Sequence, residues 1–263
     1  MAVAGAGGLG LIVVLVLTLL GGSDASIGGV DVGDLLDDLQ APPPANAQSP
    51  DPDARLVRFV SFVLDDVQRM WTDQFSEAGR SYQPAELVLF TNATATACGQ
   101  ASSSTGPFYC PGDRRVYLDL GFFQELRRRF AAPGDFAQAY VIAHEIGHHV
   151  QDELGISDEV DRASRSEPSL ANDLSIRLEL QADCLAGVWA HSTYERGLLE
   201  PGDVREALDA AAAVGDDRIQ ESTTGRINPE TWTHGSSDQR TDWFSRGYES
   251  GVADDCDTFS GDV

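Results

Sequence analysis

The chain has 263 residues, which leaves room for one good-sized domain with appendages, and 42% of them are hydrophobic, enough to fill a core. It carries 42 acidic residues against 18 basic ones, a formal net charge of −24 at pH 7. So acidic a surface repels nucleic acid and anionic lipid headgroups, and we expect neither as a partner. A simpler interpretation is that the acidity only keeps the protein soluble.

The N-terminal segment Ala2–Gly22 is uncharged and strongly apolar at its centre, Leu11–Leu20. About 20 such residues match either a membrane-spanning helix or the core of a long signal peptide. We expect residues 1–22 to be an uncleaved transmembrane anchor, because the Ala-x-Ala triplet at 45–47 lies too far downstream for convincing cleavage. The chain would then be a single-pass membrane protein with an extracytoplasmic domain; a cleaved signal would make it a secreted protein instead.

The stretch that follows is small, polar and proline-rich. Residues 23–54 include APPPANAQSPDPDA, which is typical of a flexible or polyproline-type linker without a core of its own. The folded domain is predicted to occupy residues 55–259 and to open with a helix.

Short β-branched and aromatic segments come next, and they predict a small sheet formed by residues 86–90, 106–110 and 115–120. Apolar residues at helical spacing then predict helices at 122–130, 136–154, 170–194, 201–214 and 237–250. The fold class is therefore α+β, mainly helical with a small β-sheet.

Signals for helix ends support two of these helices. Asp135, with Gln138 three residues on, can cap the start of the helix at 136–154, and Gly155 follows its last turn. Ser236 and Gln239 have the spacing of a capping box at the start of the last helix.

Four cysteines, an even number, suit two disulfides in an oxidising compartment. The short separation of Cys98 and Cys110 favours joining those two, which leaves Cys184 to meet Cys256. The alternative is four unpaired, mostly buried thiols. A zinc-binding cysteine cluster is disfavoured because the chain has no Cys-x-x-Cys pair.

The helix at 136–154 carries three of the five histidines, in the segment AHEIGHHV. His144 and His148 are four residues apart, so they project within about 40° of each other and can reach one zinc ion. Glu145 is turned away by about 100°, where it can act as a general base on a water bound to the metal. His149 points about 140° from His144 and is expected to pack or hydrogen-bond. The alternative is that all of these are only polar residues on a core helix.

A catalytic zinc ion needs a third protein ligand, which must come from another element. The helix at 170–194 offers Glu179 and Asp183 on one face of an apolar surface, where unpaired carboxylates would be costly. We predict Glu179 as the third ligand and Asp183 as an outer carboxylate that accepts a hydrogen bond from a ligating histidine, most simply His144. The alternative for the acidic pair is a surface interaction with Arg177.

Two histidines lie outside these motifs. His234 precedes the last helix, and a loop histidine there could reach over the zinc ion and donate to a developing oxyanion. Arg240, in the same segment, could assist it or hold a nearby carboxylate. His191 lies at the end of its helix, where a last-turn capping role is expected.

The chain contains, in this order, the segments VYLDLGFF, AHEIGHHVQ, LELQADCLAGVWAH and HGSSDQRTDWFSRGY. Together they resemble the bacterial neutral zinc metallopeptidases (the YpfJ-like family), which are similar to gluzincins in combining His-Glu-x-x-His with a downstream Glu-x-x-x-Asp. The resemblance covers about residues 55–259. It implies a zincin-like fold in which a strand edge near the cleft holds the substrate backbone, and RVYLDL (115–120) is the candidate edge. It also supports the ligand set with its general base, and favours a catalytic role for His234.

The sequence therefore predicts a zinc metallopeptidase, a hydrolase with one catalytic Zn²⁺ that acts on peptide or protein substrates outside the cytoplasm. A zinc-activated water would attack the peptide bond, with Glu145 as general base. One alternative is a non-catalytic zinc-binding protein of the cell envelope, which would have no need of Glu145. The other is a zinc hydrolase of non-peptide amides in cell-wall material.

Overall fold

The computed structural model describes residues 26–27, 30–31, 52–123, 134–261 and 263. The chain divides into a unit that ends at Asp51 and a second unit, Pro52–Val263. In the first unit, strand β1 (Ser26–Ile27) pairs antiparallel with β2 (Val30–Asp31). The predicted anchor at 1–22 and most of the predicted linker at 23–54 lie outside the described residues and stay predictions. Within the described ranges, no helix is both long and apolar enough to cross a membrane.

The second unit is mainly helical, as predicted. Its helices are α1 (Pro52–Glu77), α2 (Asp135–Leu154), α3 (Ile156–Ser166), α4 (Ala171–Glu195), α5 (Asp203–Ala213), α6 (Asp216–Thr224) and α7 (Ser237–Ser250). Sequence patterning predicted α2, α4, α5 and α7 to within about two residues at each end. It missed α3 and α6, and most of the helix predicted at 122–130 lies outside the described residues.

The sheet combines strands that are distant in sequence. The strands of the second unit are β3 (Glu86–Phe90), β4 (Ala93–Thr96), β5 (Gly99–Ser102), β6 (Phe108–Cys110) and β7 (Arg115–Asp119). One sheet has the order β3-β7-β6, with β7 parallel to β3 and antiparallel to β6. A separate hairpin joins β4 to β5. These strands and the helices make an α+β fold.

The prediction that RVYLDL forms the open edge of this sheet is wrong. Residues 115–119 form β7, which is the middle strand: β3 pairs with it along its whole length, and β6 pairs with residues 115–117 on the other side. Consistent with that position, Val116, Tyr117 and Leu118 are all buried. Among the described residues, β3 and β6 are the two edge strands of this sheet, each paired with β7 alone, and β6 is the one that contacts α2.

Helix α2 is the centre of the core and packs against α1, α4 and α5. It closely approaches α4 at Gly147, where an added Cβ would lie 3.0 Å from the Cα atom of Ala182. Its far end stops at Gly155 in the left-handed conformation (φ 79°), as predicted. At its start the prediction was wrong: Asp135 is the first helical residue, and the backbone N–H of Phe136 donates to Glu206 of α5 at 3.2 Å.

Two disulfides link separate elements of the second unit. Cys98 is bonded to Cys110, and Cys184 to Cys256, which is the pairing that the sequence favoured. The first connects the β4–β5 hairpin to β6. The second connects α4 to a short 3₁₀ helix, Ala253–Cys256, in the C-terminal segment.

Candidate active site

Helices α2 and α4 bring the predicted metal ligands together at one cleft. Nε2 of His144 lies 3.3 Å from Oε2 of Glu179, and Nε2 of His148 lies 3.4 Å from Oε1 of the same carboxylate. The three residues offer ligand atoms that all lie within 4.8 Å of one another. They line a cleft of about 850 Å³ that also contains Glu145 and His234. The structure thus assembles the candidate site from residues that are more than thirty positions apart in sequence.

Asp183 lies behind His144 and is completely buried. Its Oδ1 is 2.8 Å from Nδ1 of His144 and also accepts the hydroxyl of Tyr140 at 2.5 Å. Arg240 donates to both carboxylate oxygens, at 2.8 and 3.0 Å. The proposed surface pair is excluded, because Arg177 instead binds Asp173. Asp183 therefore occupies the position predicted for it, with Arg240 as its buried counter-charge.

A buried carboxylate is stable only where its charge is compensated. Burial raises the pKa of Asp183, but the charges of Arg240 and His144 outweigh it and hold the pKa below its ordinary value. Tyr140 is fully enclosed beside these charges, and burial raises the pKa of its hydroxyl far above the usual range. Asp183 is thus an anion that can accept the Nδ1 proton of His144, which leaves Nε2 to face the cleft.

The ligand group itself shares positive charge. Burial alone would lower the pKa of His144. The charge of Asp183 and the hydrogen bonds to Asp183 and Glu179 outweigh that effect and raise the pKa to about 10. Burial raises the pKa of Glu179, whereas His148 and His144 hold it well below its ordinary value. The two carboxylates thus favour positive charge at the imidazoles of the metal-free protein. A divalent cation in the same place would satisfy all three.

The donor set fits zinc. Two imidazole nitrogens and one carboxylate form the ligand combination of many catalytic zinc sites, which keep their fourth position open. Tetrahedral bonds of about 2.0–2.1 Å place ligand atoms roughly 3.3–3.4 Å apart. Nε2 of each histidine lies at such a distance, 3.3 or 3.4 Å, from one oxygen of Glu179, a different oxygen in each case. One ligand atom from each of the three residues lies within 4.8 Å of the other two, close enough to share one ion. The cleft, in turn, gives access to the open position.

The second nitrogen of His148 has a partner that sequence reasoning missed. Nδ1 of His148 lies 2.9 Å from Oε1 of Gln151, three residues further along α2. Gln151 has no exposed surface. A glutamine on the buried face of a predicted core helix needs polar partners, and that need was the available signal.

His234 is paired with a carboxylate that was also missed. Its Nδ1 lies 3.1 Å from Oδ1 of Asp216, the first residue of α6, which is 18 positions earlier in the chain. Oδ2 of Asp216 accepts the backbone N–H groups of Thr233, His234 and Gly235 at 2.7, 2.6 and 3.2 Å. The Asp216 hydrogen bond raises the pKa of His234 above its ordinary value. His234 therefore lines the cleft with Nε2 outside these contacts.

The other two histidines have structural surroundings. His149 is completely buried, with Nε2 2.6 Å from the carbonyl oxygen of Gln83, in agreement with its predicted packing role. Nδ1 of His191 is 2.7 Å from the carbonyl oxygen of Tyr248. We had expected His191 to cap the end of its own helix. It caps the last turn of α7 instead.

One wall of the cleft is formed by β6 and the residues before it, Gly106 and Pro107. Tyr109 joins this wall to the ligand helix: its hydroxyl donates to Asp152 of α2 at 2.8 Å and lies 3.0 Å from Nδ1 of His149. The lining of the cleft also includes the apolar side chains of Phe122, Val141, Val214 and Ile219.

The chain matches, over residues 1–259, the model of a protein family described as "Putative neutral zinc metallopeptidase". It is 44% identical over 251 residues to the protein YpfJ of Escherichia coli (strain K12), which covers 95% of this chain and 86% of that protein. It is 51% identical over 190 residues to Mb2605 of Mycobacterium bovis and Rv2575 of Mycobacterium tuberculosis, covering 68% of this chain and 64% of those proteins. No solved structure gives a significant match.

Proposed function

Because this chain belongs to the neutral zinc metallopeptidase family, we propose that it is a zinc-dependent peptidase that hydrolyses peptide bonds with one zinc ion. The observation that carries the proposal is the convergence of His144, His148 and Glu179, which can each offer one ligand atom within 4.8 Å of the other two. Two imidazoles and one carboxylate are the ligand set of many catalytic zinc sites. The largely buried carboxylate of Glu179 needs positive charge beside it, and a metal cation would supply that charge.

When bound, zinc would supply Lewis acidity at the mouth of the cleft. Glu145 would take a proton from the attacking water and deliver it to the leaving amine. His234, protonated and held by Asp216, would donate from Nε2 to the oxygen that becomes negative as the carbonyl is attacked. Asp183 would keep His144 in the tautomer whose Nε2 faces the cleft.

The free edge of β6 is the surface that we propose for the substrate backbone. An extended peptide can add to such an edge by main-chain hydrogen bonds, with alternate side chains directed into the cleft. Phe108 and Tyr109 of β6 line the cleft together with the candidate ligands. The apolar residues of the cleft lining, such as Phe122 and Ile219, favour a substrate with an apolar side chain next to the bond that is cleaved.

The test is a Glu145→Gln substitution in the full-length chain. The variant should bind zinc as the wild type does and lose at least about a hundredfold in cleavage of an unfolded protein, because the general base is removed. Zinc content and product peptides are measured on the same samples, with and without a chelator. Undiminished cleavage by the variant would refute the assignment.

The same assay separates the two alternatives. A wild-type protein that binds zinc but leaves both peptides and cell-wall fragments intact would be a non-catalytic zinc-binding protein. Release of wall fragments without peptide cleavage would identify a hydrolase of non-peptide amides.

We also propose that residues 1–22 anchor the protein and that the folded unit lies outside the cytoplasm. Two disulfides support this location, because such bonds persist in oxidising compartments and are rare in the cytosol. Accessibility of the unit to protease added to intact spheroplasts, together with membrane fractionation, would distinguish an anchored form from a secreted or a cytoplasmic one.

A further inference from the structure

The two candidate histidine ligands are oriented by groups of different chemistry. Behind His144 stands a carboxylate, which can only accept the Nδ1 proton. Behind His148 stands the amide of Gln151, which has an accepting oxygen and a donating nitrogen. Only the oxygen end leaves Nε2 of His148 without a proton and able to bind metal. Some other group must therefore fix which end of the amide faces the ring.

That group is found on α4. The Gln151 nitrogen donates to the backbone carbonyl of Leu178 at 2.8 Å and to Oε1 of Gln181 at 3.0 Å. A backbone carbonyl cannot donate, so this contact admits only the nitrogen of the amide. The oxygen of Gln151 is consequently directed at His148.

Gln181 is fixed in the same way. Its own nitrogen donates to the backbone carbonyl of Cys256 at 3.0 Å, so its oxygen must face Gln151. Cys256 is bonded to Cys184, three residues beyond Gln181 on α4. Gln151, Gln181 and Cys256 are 0%, 8% and 1% exposed, so water does not compete for these contacts. The hydrogen bonds form an unbroken path from the disulfide to the imidazole.

We propose that Gln151 and Gln181 are positioning residues of the zinc site, and that the backbone carbonyls of Leu178 and of the disulfide-bound Cys256 set their directions. They hold His148 in the tautomer with the proton on Nδ1 and Nε2 free for zinc. The inference rests on the proposed function, since it requires zinc at this site. Outer partners of this type typically contribute about 10- to 100-fold to metal affinity.

The experiment compares zinc dissociation constants of three full-length variants by competition with a chromophoric chelator. Gln151→Met and Gln181→Met have side chains of similar length without the amide, and each should bind zinc about 10- to 100-fold more weakly than the wild type. Gln138→Met is the matched control: Gln138 is a buried glutamine of the same helix, and among the described residues its side chain bonds the carbonyl of Gly134 at 3.4 Å. Its affinity should remain within about twofold of the wild type.

A spectroscopic readout separates positioning from general destabilisation. In the zinc-loaded wild type and Gln138→Met, the Nδ1 proton of His148 should give a slowly exchanging, downfield proton resonance. In Gln151→Met that resonance should be lost, while the corresponding signal of His144 remains. Gln181→Met, which leaves the Gln151 oxygen in place, should retain the resonance with faster exchange, and it serves as the second variant should Gln151→Met fail to fold.

The outcomes are distinguishable. A wild type that does not bind zinc would overturn the proposed function. A wild type that binds zinc tightly, with Gln151→Met and Gln181→Met indistinguishable from Gln138→Met, would overturn the positioning role and leave the peptidase proposal intact.

Discussion

Asp216 favours the protonated form of His234. The hydrogen bond from Nδ1 to the carboxylate raises the pKa of the imidazole, so the protonated, donating form persists to higher pH than for an isolated histidine. If protonated His234 stabilises the oxyanion, activity should fall as the pH rises through that raised pKa. The pair is a histidine–carboxylate dyad at the mouth of the site.

We predict that Asp216→Asn moves the alkaline limb of the kcat/KM profile to lower pH. An amide cannot supply the negative charge that favours the imidazolium, so the pKa of His234 should fall. The measurement is a pH–rate profile of wild type and variant at saturating zinc. His234→Gln is the companion variant: it should be slow and should lack this limb altogether. An unshifted limb in Asp216→Asn would assign the titration to another group.

At the residue scale, the candidate ligands were accessible from sequence because their spacing is local. His144 and His148 lie on one helix face, as do Glu179 and Asp183, and each pair stands out against an apolar surface. The partners of Gln151 and Asp216 are recognised only in three dimensions. Gln151 resembles any other buried amide, and Asp216 belongs to α6, a helix whose apolar pattern is too weak to predict.

At the scale of the elements, helices α4 and α7 pack with their backbones very close together. An added Cβ at Gly187 would lie 2.1 Å from the carbonyl oxygen of Phe244 and 2.7 Å from the backbone nitrogen of Tyr248. Neither neighbour is a flexible side chain, so the helices themselves would have to separate. Helix α7 carries Arg240, whose contact with Asp183 depends on this approach.

We predict that Gly187→Ala lowers the free energy of unfolding by about 3 kcal/mol, at the upper end of the usual range for overpacking. Thermal and denaturant unfolding of the zinc-free protein would measure it. Asp242→Ala, an exposed substitution on α7, is the control and should stay within about 0.5 kcal/mol of the wild type. Equal stabilities for the two variants would show that α7 moves without cost.

Prediction of elements from sequence succeeded for the long amphipathic helices. It failed for the position of a strand in the sheet, which depends on the strands that pair with it. Whether β7 is an edge or a middle strand depends on its neighbours, which local spacing does not reveal. One local sign of a middle strand was nevertheless present: VYL is apolar on both faces of the strand, whereas an edge strand more often alternates apolar and polar residues. The start of α2 is similar: the group that caps it, Glu206, lies 70 residues away.

For the molecule as a whole, the two disulfides should differ in what they stabilise. Cys184–Cys256 closes a separation of 72 residues between buried sites, and Cys98–Cys110 one of 12 residues with Cys98 exposed. Loop-closure entropy favours the longer loop, with about 4 kcal/mol against about 3 kcal/mol. The first bond also holds the segment on which Gln181 depends.

We predict that Cys184→Ala/Cys256→Ala loses more stability, and more zinc affinity, than Cys98→Ala/Cys110→Ala. Denaturant titration gives the first quantity and chelator competition the second. The comparison between the double variants is internal, because each removes one disulfide and leaves the other. A larger loss of zinc affinity from the 98–110 pair would contradict the hydrogen-bond path through Cys256.

The bridge made by Tyr109 has a consequence for how an extended chain could be accommodated. Because its hydroxyl bonds to α2, the edge of β6 and the imidazoles on that helix belong to one continuous hydrogen-bonded frame. The distance between the strand edge and the imidazoles is fixed when the protein folds, so binding of a peptide need not use free energy to order these groups. Selection among incoming chains would then depend on how far a reactive carbonyl lies from the backbone groups that pair with the strand.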